Sequence, residues 1–243
     1  MPRPGEPPAM DRTPGPSGRD WRESEFRIEL AADGSGTLAG VDRFTGTLGA
    51  ALKAQLEPLD LPRRRQVVES LLTRTFQGVS VSDVEFVGED DPDAPLAIRW
   101  RGRSAQVARP ADGGLVLEAG VDRARLSAKY ARVAARTTPL LIQSPERSSA
   151  VVEIVTPKGT RAVVGPPSRI TTPYGSYERT DRQTPEGGLV RTERLEVGRG
   201  RIPPKDYREF AAFAAAVDAL QEQPIPLTRT REDPGSRDPI SPE

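Results

Sequence analysis

The sequence predicts an α+β fold, mostly antiparallel β as a sandwich or open barrel. Two helices fall in its N-terminal half, and a C-terminal helix packs on the sheet. Three observations predict this. Short apolar/polar alternations recur between Gly, Pro and Asp clusters, the pattern of half-buried strands joined by turns. Two stretches near residues 48–56 and 63–76 carry apolar residues at helical spacing. The stretch "IPPKDYREFAAFAAAVDALQEQPIPL", Ile202 to Leu227, gathers three aromatics on one helix face.

Taken in order, "EFRIEL" (Glu25 to Leu30) puts Phe26, Ile28 and Leu30 on one face. The turn cluster Asp33-Gly34-Ser35-Gly36 follows, and Thr37 to Phe44 alternates again, so the pair reads as a hairpin. Leu48, Ala51, Leu52 and Leu56 mark a first helix, stopped by Pro58. Val67, Val68, Leu71, Leu72 and Phe76 mark a second, with Gly78 placed to end it. Strands are predicted from Val79 to Val87, Leu96 to Trp100, Ala105 to Ala108 and Leu115 to Glu118, separated by turn signals that include Pro110 and Gly113-Gly114. A short helix is predicted over Ala124 to Ala135. Further strands follow at Val151 to Thr156, Arg161 to Val164, Arg169 to Thr172, Tyr177 to Arg182 and Leu189 to Val197.

In the closing stretch, Pro203 and Pro204 hold the chain extended before the helix. Asp206 stands at the cap with Glu209 three residues on, the spacing of a capping box. Tyr207, Phe210, Phe213, Ala214, Val217 and Leu220 form the apolar stripe, and Pro224 ends the helix. Pro226 would confine "IPL" to an edge strand. The stripe reads as a helix closing a sheet; docking into a partner's groove is the sharper alternative.

The domain reading is a tail over 1–19, an α+β domain over 20–145, an antiparallel β domain over 146–228 closed by helix 205–222, and a tail over 229–243. Both tails are too rich in Pro, Gly and charge to offset their ordering entropy. The charges balance at 35 basic and 35 acidic residues, which argues against a general polyanion binder, so no nucleic acid is expected as a partner. No apolar run is long enough for a membrane span, and the first residues lack a signal peptide's apolar stretch. The chain holds no cysteine and no histidine. That excludes Ser-His-Asp and Cys-His catalysis, thiolate chemistry and ordinary zinc sites; carboxylate, Lys or Tyr chemistry and hard-cation sites stay open, and no cofactor and no metal ligand is assigned.

The remaining chemistry is thin. "GEDDPDAP" clusters Glu89, Asp90, Asp91 and Asp93, but Pro92 and Pro95 break the calcium-loop pattern, and an acidic turn is the simpler reading. Glu89 and Asp91 are also the only candidates for a carboxylate-only hydrolase. "IRWRGR" separates Arg99, Arg101 and Arg103 from Ile98 and Trp100 on opposite strand faces, against a single-stranded nucleic-acid site. "LPRRRQ" (Leu61 to Gln66) reads as an exposed helix start, and "VGRGR" (Val197 to Arg201) as a loop.

The segments "DGSGTLAG…RFTGTLGAALKAQL" (Asp33 to Leu56), "RTTPLLIQSP" (Arg136 to Pro145), "TTPYGSYE" (Thr171 to Glu178) and the closing Ile202 to Leu227 stretch resemble the C-terminal region of bacterial transglutaminase-like proteins flanked by domains of unknown function. The resemblance spans roughly Glu25 to Leu227. It implies a non-enzymatic, β-rich module that follows a papain-like core, scaffolds or interacts with a transglutaminase or protease-like protein, and belongs to the periplasm or cell envelope. The family's Cys, His and Asp apparatus has no counterpart here, so no catalytic residue carries over. A stand-alone peptide- or glycan-binding protein is the alternative function. The candidate ligand or partner contacts are Tyr174 and Tyr177 beside Gly175, with Tyr207, Phe210 and Phe213 on the closing helix.

Overall fold

The computed structural model describes residues 20–73, 76, 78–117 and 123–230. The expected tail over 1–19, the expected tail beyond Thr230 and position Glu118 lie outside the described residues. In chain order the first half contains β1 (Arg22–Leu30), β2 (Gly36–Phe44), α1 (Gly46–Leu56), α2 (Leu61–Thr73), β3 (Ser80–Val87), β4 (Leu96–Ser104), β5 (Arg109–Ala111) and β6 (Gly114–Leu117). Then come α3 (Leu126–Tyr130), β7 (Leu140–Ile142), β8 (Glu146–Val155), β9 (Thr160–Ala162) and β10 (Ser168–Thr172). The chain closes with β11 (Gly175–Gln183), β12 (Leu189–Val197), β13 (Gly200–Ile202), α4 (Tyr207–Gln221) and β14 (Ile225–Arg229).

The fold is α+β and mostly antiparallel, with open sheets. The principal sheet has eight strands in the order β10-β11-β12-β8-β1-β2-β4-β3, and a second has four in the order β5-β6-β14-β9. β7 and β13 form a separate two-stranded pair. One pairing in the large sheet is parallel: β1 runs alongside β8. That contact needs a long crossover, and residues 31–145 supply it. The large sheet therefore draws strands from both sides of residue 145.

Register organises one face of this sheet into rows. Ile28, Leu38, Ile154 and Leu189 make an apolar row, continued by Phe26, Trp100 and Val152. The next row is polar: Arg179 stands opposite Glu193, and Ser24 opposite Asp42. All four of these are buried. The second sheet covers the apolar rows through Leu115, Leu117, Ile225 and Leu227. A separate cluster joins Tyr177, Leu195 and Val197 to α4.

Gly40 sits between Phe26 and Trp100 in register, and their rings approach to 5.7 Å between centroids. A Cβ on Gly40 would lie 2.6 Å from both rings. Gly40→Ala is therefore expected to lose about 1–3 kcal/mol of stability through overpacking. Urea unfolding measures it, and an unchanged midpoint would show that the ring pair shifts without cost.

Several local expectations are corrected. Ala105 to Ala108 is not a strand: the Val107 and Ala108 amides both donate to Gly34 O at 2.9 Å, folding this segment over the β1–β2 turn. The strand comes later, as β5, and carries Pro110 on the edge of its sheet. β14 is an interior strand despite Pro226. The Pro226 carbonyl accepts from Val163 N–H at 2.9 Å, so its missing donor faces the side where β9 has already ended at Ala162. β14 also runs to Arg229, the first residue assigned to the tail. "VGRGR" is partly strand, because Gly200 and Arg201 pair with Ile142 and Leu141. The helix predicted over Ala124 to Ala135 is a single turn, α3. The capping box is absent: Asp206 already has helical backbone angles and its side chain makes no capping bond. Glu209 instead accepts the Tyr174 hydroxyl at 3.0 Å. No helix among the described residues is long and apolar enough to cross a membrane.

Candidate functional site

The helices cover the inner face of the large sheet in two groups. α1 and α2 lie over β2, β4 and β3, whereas α4, with α3 against it, covers the β10–β12 end. Between the groups runs a cleft of two adjoining hollows, about 620 and 700 Å³. Both have walls formed by Arg22, Leu48, Ala51, Arg123, Ala124 and Lys129. Volumes of this order hold a drug-sized ligand or a few side chains of a partner.

The first hollow has an apolar floor of Phe26, Phe44, Ile98 and Trp100, with Leu52, Leu71 and Leu72 on the helical side. The second ends at Leu141, Pro145, Glu146 and Arg147. Leu48, Leu71 and Leu141 are 46%, 44% and 59% exposed, a high cost in uncovered apolar surface for one feature. Leu48 and Leu71 belong to the apolar stripes that mark the two helices. The helices bury Leu56, Val68 and Leu72 instead, because each has only one sheet face to cover.

Each carboxylate around the cleft is already engaged. Asp42 accepts from Arg22 Nη2 at 2.8 Å, Ser24 Oγ at 2.6 Å and Trp100 Nε1 at 3.4 Å. Asp20 Oδ1 accepts the Thr47 amide at 2.6 Å, satisfying a donor in the first turn of α1. Glu146 accepts the Tyr130 hydroxyl and pairs with Lys129 Nζ at 2.6 Å. Asp218 of α4 fixes the far wall by receiving the Leu126 and Ser127 amides, both at 2.8 Å. Gln221 Oε1 receives the Ala124 amide at 2.9 Å. Arg123 is different: its Nε is buried and has no hydrogen-bond partner among the described residues.

Burial, then the Glu146 hydrogen bond and charge, push the Tyr130 hydroxyl above its ordinary value of 10.0. Burial and the Glu193 charge do the same to Tyr177. The folded protein thus holds these protons where the unfolded chain releases them, so stability is full below pH 10.0 and falls as pH rises further. Ionisation of Tyr130 and Tyr177 above that pH is expected to appear together with unfolding. Titration of Tyr130 and Tyr177 near 10.0 in a protein that stays folded, assigned by their Tyr→Phe variants, would contradict this.

The residues singled out from sequence lie away from the cleft or beneath the surface. Tyr177, Tyr207, Phe210 and Phe213 are buried in the α4 cluster, and present no contact surface. Tyr207 donates to Val133 O at 2.8 Å. Tyr174 is half-buried and meets Phe210 edge-on at 5.7 Å. The acidic turn is tied to the helices: Glu89 pairs with Arg64, and Lys53 Nζ donates to Asp91 O at 2.5 Å and Ala94 O at 2.6 Å. Among the described residues, no three Asp or Glu side chains gather closely enough to hold a metal ion. Arg99, Arg101 and Arg103 lie on the exposed face, opposite buried Ile98 and Trp100. The cleft itself escaped sequence reasoning. Its traceable signal was the width of the two helical stripes, together with the cations at Arg123, Arg125 and Lys129.

Comparison with known proteins places part of this architecture. Residues 115–227, a little under half of the chain, match DUF3858, a domain of unknown function with a solved structure. No curated protein matches. A crystal structure from Parabacteroides distasonis, of a protein described only provisionally as a protease, aligns at 14% identity and a TM-score of 0.34. The alignment covers 39% of this chain and 19% of that one. What the chain resembles, over residues 115–227, is therefore a domain family whose function is itself undefined.

Proposed function

We propose that this chain is a non-enzymatic accessory module that holds a partner protein in the cleft between its two helical groups. Composition supports the first part, since a chain without histidine or cysteine lacks the usual nucleophile–base pairs. One observation carries the second: Leu48, Leu71 and Leu141 stand exposed along a single cleft whose carboxylates are all internally engaged. The sequence resemblance makes a transglutaminase-like or protease-like protein the partner to test first. Glycan binding through Tyr174 and Tyr177 has less support, because Tyr177 is buried.

The test is co-elution on size exclusion with the transglutaminase-like protein of the same organism. Leu71→Glu and Leu48→Glu alter exposed positions, so the fold should survive while the complex is lost. A complex that persists in both variants would remove the cleft from the reading.

A further inference from the structure

We infer that the occupant of the cleft is an acidic peptide segment of the partner that also carries apolar side chains, with a carboxylate seated on Arg123. This rests on the reading of the cleft as the docking surface and adds the chemistry of what docks. The lining carries five cations, Arg22, Arg123, Arg125, Lys129 and Arg147, against the carboxylates Asp20, Asp42 and Glu146. Those carboxylates are consumed by Thr47, by the Arg22–Ser24–Trp100 group, and by Tyr130 with Lys129. Arg22 and Lys129 are the cations that answer Asp42 and Glu146, and Arg147 lies 3.9 Å from Glu196, yet the lining still holds more cations than carboxylates in a chain that is neutral overall. Arg123 lines both hollows and keeps a buried Nε without a partner among the described residues. A buried donor left unpaired is costly, and a carboxylate satisfies a guanidinium better than a neutral acceptor does.

The apolar part sets the rest of the occupant. Leu48 and Leu71 flank the first hollow over the Phe44 and Trp100 floor, and Leu141 stands at the far end of the second. A run of contact sites along an open seam suits side chains spaced along a peptide. A compact ligand would fill one hollow and leave the other leucines uncovered. The cationic rim would steer and orient such a segment, and the apolar floor would hold it.

A random-peptide display library panned against the intact chain tests this. The expected result is enrichment of peptides carrying Asp or Glu beside Leu, Ile or Phe. A fluorescent copy of one enriched peptide should then bind more weakly as salt rises, because exposed charges are screened. Arg123→Gln, which removes the charge and keeps most of the length, should weaken binding about tenfold, the scale of one charge-assisted hydrogen bond. Basic or uncharged enriched peptides, or full affinity in Arg123→Gln, would overturn the inference. The docking reading would survive that outcome if Leu71→Glu still abolished binding, and would fall with it if Leu71→Glu had no effect. Displacement of the peptide by dilute laurate that itself binds at one equivalent would assign the cleft to a small anionic amphiphile, and would also overturn it.

Discussion

Asp181→Ala is expected to destabilise the protein by about 3–5 kcal/mol, the cost of breaking a buried ion pair by removing one partner. Asp181 on β11 faces Arg191 on β12 in register, and their side chains are 1% and 5% exposed. Arg191 Nε and Nη2 each reach a carboxylate oxygen of Asp181 at 2.8 Å. Removal of the carboxylate leaves a buried guanidinium inside the sheet face without that partner. Domains of this kind have only about 5–15 kcal/mol of net stability, so the variant should be close to unfolding. Replacing both partners, as Asp181→Leu with Arg191→Met, should be milder than the single change, because no unpaired charge remains. Urea denaturation of both variants decides it. A single-variant loss below about 1 kcal/mol would place the pair with weak surface bridges.

Phe210→Ala is the second large effect, expected at about 3–5 kcal/mol for an aromatic removed from a filled core. Phe210 is fully buried at the centre of the α4 cluster. It meets Tyr130, Tyr174 and Phe213 at ring separations of 6.2, 5.7 and 6.3 Å. Through Tyr130 the ring also supports the wall of the cleft, so the variant should lower affinity for the partner as well as the melting temperature. A stable Phe210→Ala protein would mean that α4 is only loosely attached to the β10–β12 end. That would return the aromatic stripe to the role of a docking surface.

What the sequence made legible follows from which interactions are local. The β1–β2 hairpin, the strand alternation and the stripe of α4 are set by periods of two and 3.6 along neighbouring residues, and these were readable. The β1–β8 parallel pairing was not, since it joins positions more than a hundred residues apart and has no periodic mark of its own. The interior placement of β14 was missed for a related reason: the cost of Pro226 depends on where β9 ends. The polar row of Arg179, Glu193, Ser24 and Asp42 becomes visible only once register is known. The cleft is the negative of that argument. Leu48 and Leu71 carry the apolar spacing of the helical stripes, and only the assembled fold reveals that they stand exposed among the described residues.

The absence of cysteine makes one measurement unusually direct. Single cysteines introduced at Leu48, Leu71 and Leu141, and at Val151 on the opposite face of the sheet, would each be the sole thiol in the chain. Maleimide labelling rates are then compared for the protein alone and in complex with its partner. Docking in the cleft predicts slowed labelling at 48, 71 and 141, with the rate at 151 unchanged. Unprotected cleft thiols in a complex that demonstrably forms would contradict the central claim.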